Sequence, residues 1–133
     1  MDKIDLLISY LFAIESMAKD VHYSSKGKDF YSSHLLADKV YKDIGEHIDA
    51  LFETCILPYD KPKRIITYWE IAIDNGMVLN DYSIDFHFLM VTIQKCLDHI
   101  ELMQGYTKGE QALFDNIAQD LQRKLGLITR QVG

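Results

Sequence analysis

His22, His34, Asp38, Asp49 and Glu53 are all residue types that ligate metal ions, and Tyr23 directly follows the first of them. The steps between the five are 12, 4, 11 and 4 residues. Imidazole nitrogen and carboxylate oxygen together make a borderline donor set that suits iron or zinc. Whether such a set can converge on one ion depends on the helix that carries it.

Residues 29–57 read as that helix. His34 and Asp38 are i and i+4 and stand one above the other on one face, and Asp49 and Glu53 repeat the arrangement. The 11-residue step from Asp38 to Asp49 is close to three turns, which puts all four on one stripe. Along the axis, however, the two pairs lie about 16 Å apart at ~1.5 Å per residue. Metal–ligand bonds are about 2 Å, so one chain cannot offer both pairs to one ion. A second copy of the helix, crossed antiparallel about a two-fold axis, sets His34 and Asp38 of one chain against Asp49 and Glu53 of the other, twice over. The stripe's midpoint falls between Asp43 and Ile44, beside Gly45. Glycine inside a helix costs about 1 kcal/mol, so a close backbone approach is expected there. The spacing thus predicts a dimer with two shared metal sites.

The pattern His-(x11)-His-(x3)-Asp-(x10)-Asp-(x3)-Glu, with Gly27 and Phe30 in the loop between the histidines, resembles the ferroxidase centre of the Dps family, the mini-ferritins. The resemblance implies a site at a subunit interface. Asp49 and Glu53 of one subunit and His22 of its partner would hold the tighter iron. Glu53 would bridge to a weaker position beside His34 and Asp38. It further implies Fe(II) oxidation by hydrogen peroxide or dioxygen, Fe(III) mineral stored in a hollow cage, and a dodecamer built from two-fold dimers. Many members carry Trp after the first histidine, where it takes up an oxidising equivalent. Tyr23 stands there in this chain and can also be oxidised. Zn(II) accepts the same ligands. The alternative function is a non-catalytic helical cage or nucleoid-associated protein that uses the site for structural metal.

A chain of 133 residues makes one domain, large enough for its own core. Its apolar share of 48% and charged share of 26% are those of an ordinary globular protein. Two prolines and seven glycines leave long uninterrupted segments that favour helices. A net charge of −6 argues against a general binder of nucleic acid or anionic membrane. Cys55 and Cys96 sit in apolar helical contexts and read as buried thiols rather than a disulfide. No signal peptide opens the chain and no apolar run reaches membrane-span length, so a cytoplasmic location is expected.

The first helix covers residues 3–23, with Asp2 as N-cap and an apolar face of Ile4, Leu7, Leu11, Ile14, Ala18 and Val21. The second buries Phe30, Ala37, Tyr41, Ile44, Ile48 and Phe52 beside the ligand stripe, and Pro58 stops it. A short helix over 63–74 contains Trp69 and ends at Asn75-Gly76. The third helix spans about 81–103, with Ile84, Phe88, Val91, Cys96 and Ile100 on its face, and Gly105 ends it. Thr107 and Glu110 form a capping box for the fourth, whose apolar positions are Leu113, Phe114, Ile117, Leu121, Leu125 and Ile128. The expected architecture is all-α, a ferritin-like four-helix bundle with a short extra helix in the crossover between helices two and three.

Lone helical histidines are usually solvated or hydrogen-bonded, and His47, His87 and His99 receive that reading. Full-size ferritins use Glu-x-x-His within one bundle, and no His lies three residues after a Glu here. DNA binding is not expected: the first helix starts at once and only Arg130 follows the fourth helix. Glu110 and Asp115 could line an entry pore by position alone, but both read as a solvated acidic face.

Overall fold

The computed structural model describes residues 2–59, 61–78 and 85–132, and every regular element among them is helical. The elements are α1 (Lys3–Ser24), α2 (Phe30–Tyr41), α3 (Ile44–Leu51), α4 (Ile65–Asp74), α5 (Phe86–Glu101) and α6 (Lys108–Val132). A π-helical turn, Phe52–Ile56, and a 3-10 turn, Leu57–Tyr59, follow α3. None of these helices is long and apolar enough to cross a membrane.

Packing follows the apolar faces. α1 lies against α2, α3 and α5, α6 closes against α5 and the α2–α3 segment, and α4 rests on α1. The result is a helical bundle with α1 as its most enclosed member. All six apolar residues expected on α1 are buried, and so are Ile8, Ala13 and Met17. The face is wider than the 3-and-4 repeat alone implies because α1 is covered from several sides. Each fully buried Leu, Ile or Met side chain among them contributes about 1.5–3 kcal/mol.

Helix ends follow local chemistry. Asp2 caps α1, its carboxylate accepting from Ile4 N–H at 2.8 Å. Thr107 and Glu110 form both bonds of the capping box, at 3.1 and 3.0 Å. Gly76 and Gly105 have φ of 67° and 84°, the left-handed conformation in which glycine ends a helix at least cost. α4 begins two residues later than expected.

The expected second helix, 29–57, is not one helix. The α-helical ladder breaks at Lys42–Asp43, where Asp43 has φ −102° and ψ 0°. Aspartate and glycine, at 43 and 45, are both weak helix formers, and no side-chain cap supports the restart. Before Pro58 the helix widens. Leu57 N–H reaches back five residues to Phe52 C=O. In an α-helix the Pro58 ring would collide with the carbonyl four residues earlier, and the π turn relieves that.

Other expectations change with the phase of the helices. Phe30 is exposed rather than core, and Tyr41 and Phe52 are half-buried. α5 buries Phe86, Leu89, Thr92, Ile93, Cys96, Leu97 and Ile100, so Val91 faces solvent and Phe88 sits at the edge. Asp85, whose carboxylate accepts from His87 and Phe88 N–H, starts this helix later than expected. Residues 81–84, including Ile84, lie outside the described residues. Arg130 belongs to α6 rather than following it.

Candidate metal centre

The end of α1 and the start of α2 bring His22 and His34 face to face. Their rings stack with centroids 3.7 Å apart and planes 19° apart. His22 Nδ1 lies 2.9 Å from the His34 carbonyl, and His34 Nδ1 lies 2.8 Å from the His22 carbonyl. A carbonyl only accepts, so each Nδ1 must carry the donated proton. That leaves Nε2 as the other ring nitrogen, and no described residue bonds it in either histidine. A backbone carbonyl on Nδ1 is the usual outer partner of a metal-binding imidazole, since it fixes the tautomer and the ring.

Aromatic rings complete the clasp. Phe30 stacks on His34 at 5.0 Å, a contact between residues one helical turn apart. Tyr41 meets His22 edge-on at 5.4 Å, and Tyr23 does so at 5.2 Å. Tyr23 is 75% exposed, whereas Tyr41 is half-buried, with the Lys19 ammonium 5.5 Å from its ring centre. Desolvation, then the neighbouring Asp38 carboxylate, push the Tyr41 phenol above the ordinary tyrosine value. The sequence read Tyr41 only as core, and Phe30 both as core and as a loop residue of the ligand pattern; their i,i+3 and i,i+4 spacing to Asp38 and His34 was the available signal.

Asp38 is half-buried on α2, while Asp49 on α3 and Glu53 in the π turn are exposed. The helix break and the π turn separate them from His34 and Asp38, so the regular period does not carry one stripe from 34 to 53. Among the described residues, no three His, Cys, Asp or Glu side chains group as ligands for one ion. Gly45 has room within the chain: a Cβ there would meet only Glu15 Oε2, at an ordinary 3.5 Å. Asp49 and Gly45 line a shallow groove with Phe12, Glu15, Ile48, Phe52 and Ile65.

The other histidines divide. His87 is exposed. His99 Nε2 lies 2.8 Å from the Lys3 carbonyl and pins the start of α1 to α5. His47 is buried, its Nε2 2.7 Å from Asp120 Oδ2, which also accepts from Lys124 Nζ at 2.7 Å. Burial pushes the Asp120 carboxyl up, but the hydrogen bonds and charges of Lys124 and His47 outweigh it and hold the group below the usual carboxylate range. The i,i+4 spacing of Asp120 and Lys124 announced half of this cluster; its link to His47 needed the fold. Cys55 and Cys96 are buried free thiols, as their contexts implied. Glu110 is not part of a solvated face: it is buried. No family model matches the chain, and neither a curated protein nor a solved structure matches it.

Proposed function

We propose that this chain is a subunit of a Dps-type mini-ferritin with a ferritin-like arrangement of its helices. Two copies related by a two-fold axis hold Fe(II) between them and oxidise it with hydrogen peroxide or dioxygen. The ferric product is stored as mineral in a dodecameric cage. The supporting observation is the His22–His34 clasp: two imidazoles locked by reciprocal backbone hydrogen bonds, with both Nε2 atoms left for an ion. A solvated histidine pair has no need of that lock.

In this reading Asp49 and Glu53 are ligands offered outward to a neighbouring chain, which suits their exposure. They and His22 of the partner subunit take the first Fe(II), and Glu53 bridges to a second ion beside His34 and Asp38. Each Fe(II) gives one electron. One hydrogen peroxide takes both, with two protons, and leaves as two waters, so no hydroxyl radical is released. Carboxylates favour the ferric product and the imidazoles complete the coordination. In this reading Tyr23, which is exposed and lies beside His22, donates an electron when only one iron is bound.

The test is the double variant Asp49→Ala/Glu53→Ala. Rapid oxidation of Fe(II) should vanish while the helical circular dichroism stays as in the wild type. Wild-type rates in the double variant would remove these residues from the site. A wild-type protein that binds Zn(II) or Fe(II) yet consumes no peroxide would instead be using a structural metal.

A further inference from the structure

A joint lies between the two pairs of candidate ligands. The ladder of α2 ends with Lys42 N–H on Asp38 C=O at 3.1 Å, and that of α3 opens with His47 N–H on Asp43 C=O at 3.3 Å. Two bonds that a continuous helix would place between them, Asp43 N–H on Lys39 C=O and Glu46 N–H on Lys42 C=O, are not made. No side chain caps the restart, and Lys42 and Asp43 are both exposed. Gly45 follows, where even a Cβ would meet only Glu15 Oε2, at 3.5 Å. The chain therefore turns at 42–45 with few bonds or packed side chains to fix the turn.

Different partners hold the two sides. The reciprocal carbonyl bonds of His22 and His34 fasten α2 to α1. The 2.7 Å contact of His47 Nε2 with Asp120 Oδ2 fastens α3 to α6. A few residues at element ends, joining bodies anchored apart, are where hinge motion is absorbed. His34 and Asp38 ride on α2, and Asp49 rides on α3. In the proposed dimer each site takes its histidines and Asp38 from one chain and Asp49 and Glu53 from the other. The two sides of one joint thus serve different sites.

From this placement we infer that the 42–45 joint is a metal-driven hinge that couples the two sites of a dimer. The inference rests on the shared site proposed above. A continuous helix puts His34, Asp38 and Asp49 on one stripe, which the two-fold crossing needs, and the interrupted one does not. An ion that binds the aligned form more tightly shifts the population towards it. Closure of a joint aligns ligands for both sites, so the first ion to bind prepares the second.

Zn(II), which accepts the same donors without redox chemistry, is the probe, added to the metal-free full chain. Calorimetry reads affinity and cooperativity, and hydrogen exchange reads the amides of Asp43 and Glu46. Zn(II) should bind with a Hill coefficient above one and slow both amides by about tenfold or more. Asp43→Ala and Asp43→Gly remove the same carboxylate and differ in helix propensity, so the alanine variant should bind Zn(II) about fivefold more tightly and with less cooperativity. Saturation with both amides still exchanging fast, a Hill coefficient of one in the wild type, or equal affinities in the two variants would overturn the hinge and leave the shared site standing. No Zn(II) bound by the wild type would remove the shared site and the hinge with it.

Discussion

Two histidine clusters in this bundle use the same ring in opposite ways. At the α1–α2 end, His22 and His34 spend Nδ1 on backbone carbonyls and keep Nε2 open. Between α3 and α6, His47 spends Nε2 on Asp120, and Lys124 occupies the same carboxylate oxygen. The first pair is half-exposed, with no described residue on either Nε2, whereas His47 is buried and held by a carboxylate that a lysine also grips. Which ring nitrogen is engaged, and by what, separates the two clusters, rather than the presence of a histidine on a helix.

Ligand loss should draw that contrast most sharply. His22→Ala or His34→Ala should slow peroxide-dependent Fe(II) oxidation by at least the ~10–100-fold that even outer-shell losses cost at metal sites. His47→Ala should leave the oxidation rate of the folded protein within about twofold of wild type, since its Nε2 is already engaged. Stopped-flow ferric absorbance on the three variants checks both halves. Equal losses in all three would erase the distinction.

Stability should respond in the reverse order. Asp120→Ala leaves Lys124, itself buried, without its partner, and breaking a buried pair in this way costs about 3–5 kcal/mol. Urea denaturation should show a midpoint shift of matching size, whereas His22→Ala should shift it far less. A small effect for Asp120→Ala would mean that Lys124 finds water.

The same cluster sets an acid limit. The Asp120 pKa is depressed in the folded chain, so its contribution to stability is present above the unfolded value of about 3.9 and is lost as pH falls through the folded value. Wild type should therefore lose stability below about pH 4 more steeply than Asp120→Asn, as read by denaturation at a series of pH values. Parallel profiles would contradict the linkage.

The Phe30 stack on His34 should give the smallest effect. Phe30→Ala removes a contact worth about 0.5–1.5 kcal/mol, and Phe30 is partly exposed, so the lower end is expected. Iron oxidation should fall only severalfold, because the reciprocal carbonyl bonds remain.

Much of the fold was legible because capping and periodicity are local. Asp2, the Thr107–Glu110 box and the six apolar positions of α1 all act where the pattern puts them. The break at Asp43 was less visible: a weak helix former such as Asp43 or Gly45 is often tolerated inside a helix, and an interruption depends on what the neighbours supply. Phe30 lies outside the core, its ring stacked on His34 near the loop. The burial of Glu110 and Asp5 could not be read, since both depend on turns far apart in the chain. At the His22–His34 clasp, residue types and spacing singled out the histidines, but the reciprocal carbonyl bonds arise only once α1 and α2 pack.

The central claim is that two such chains build a di-iron oxidation site. Anaerobic loading of the metal-free protein with Fe(II), then addition of hydrogen peroxide, tests it most directly, with molar mass read by light scattering on the same sample. Rapid oxidation of about two irons per site, in a particle of about twelve subunits, is the expected result. Fe(II) that binds without being oxidised, or a monomer that never pairs its histidines with a neighbour's carboxylates, would contradict it.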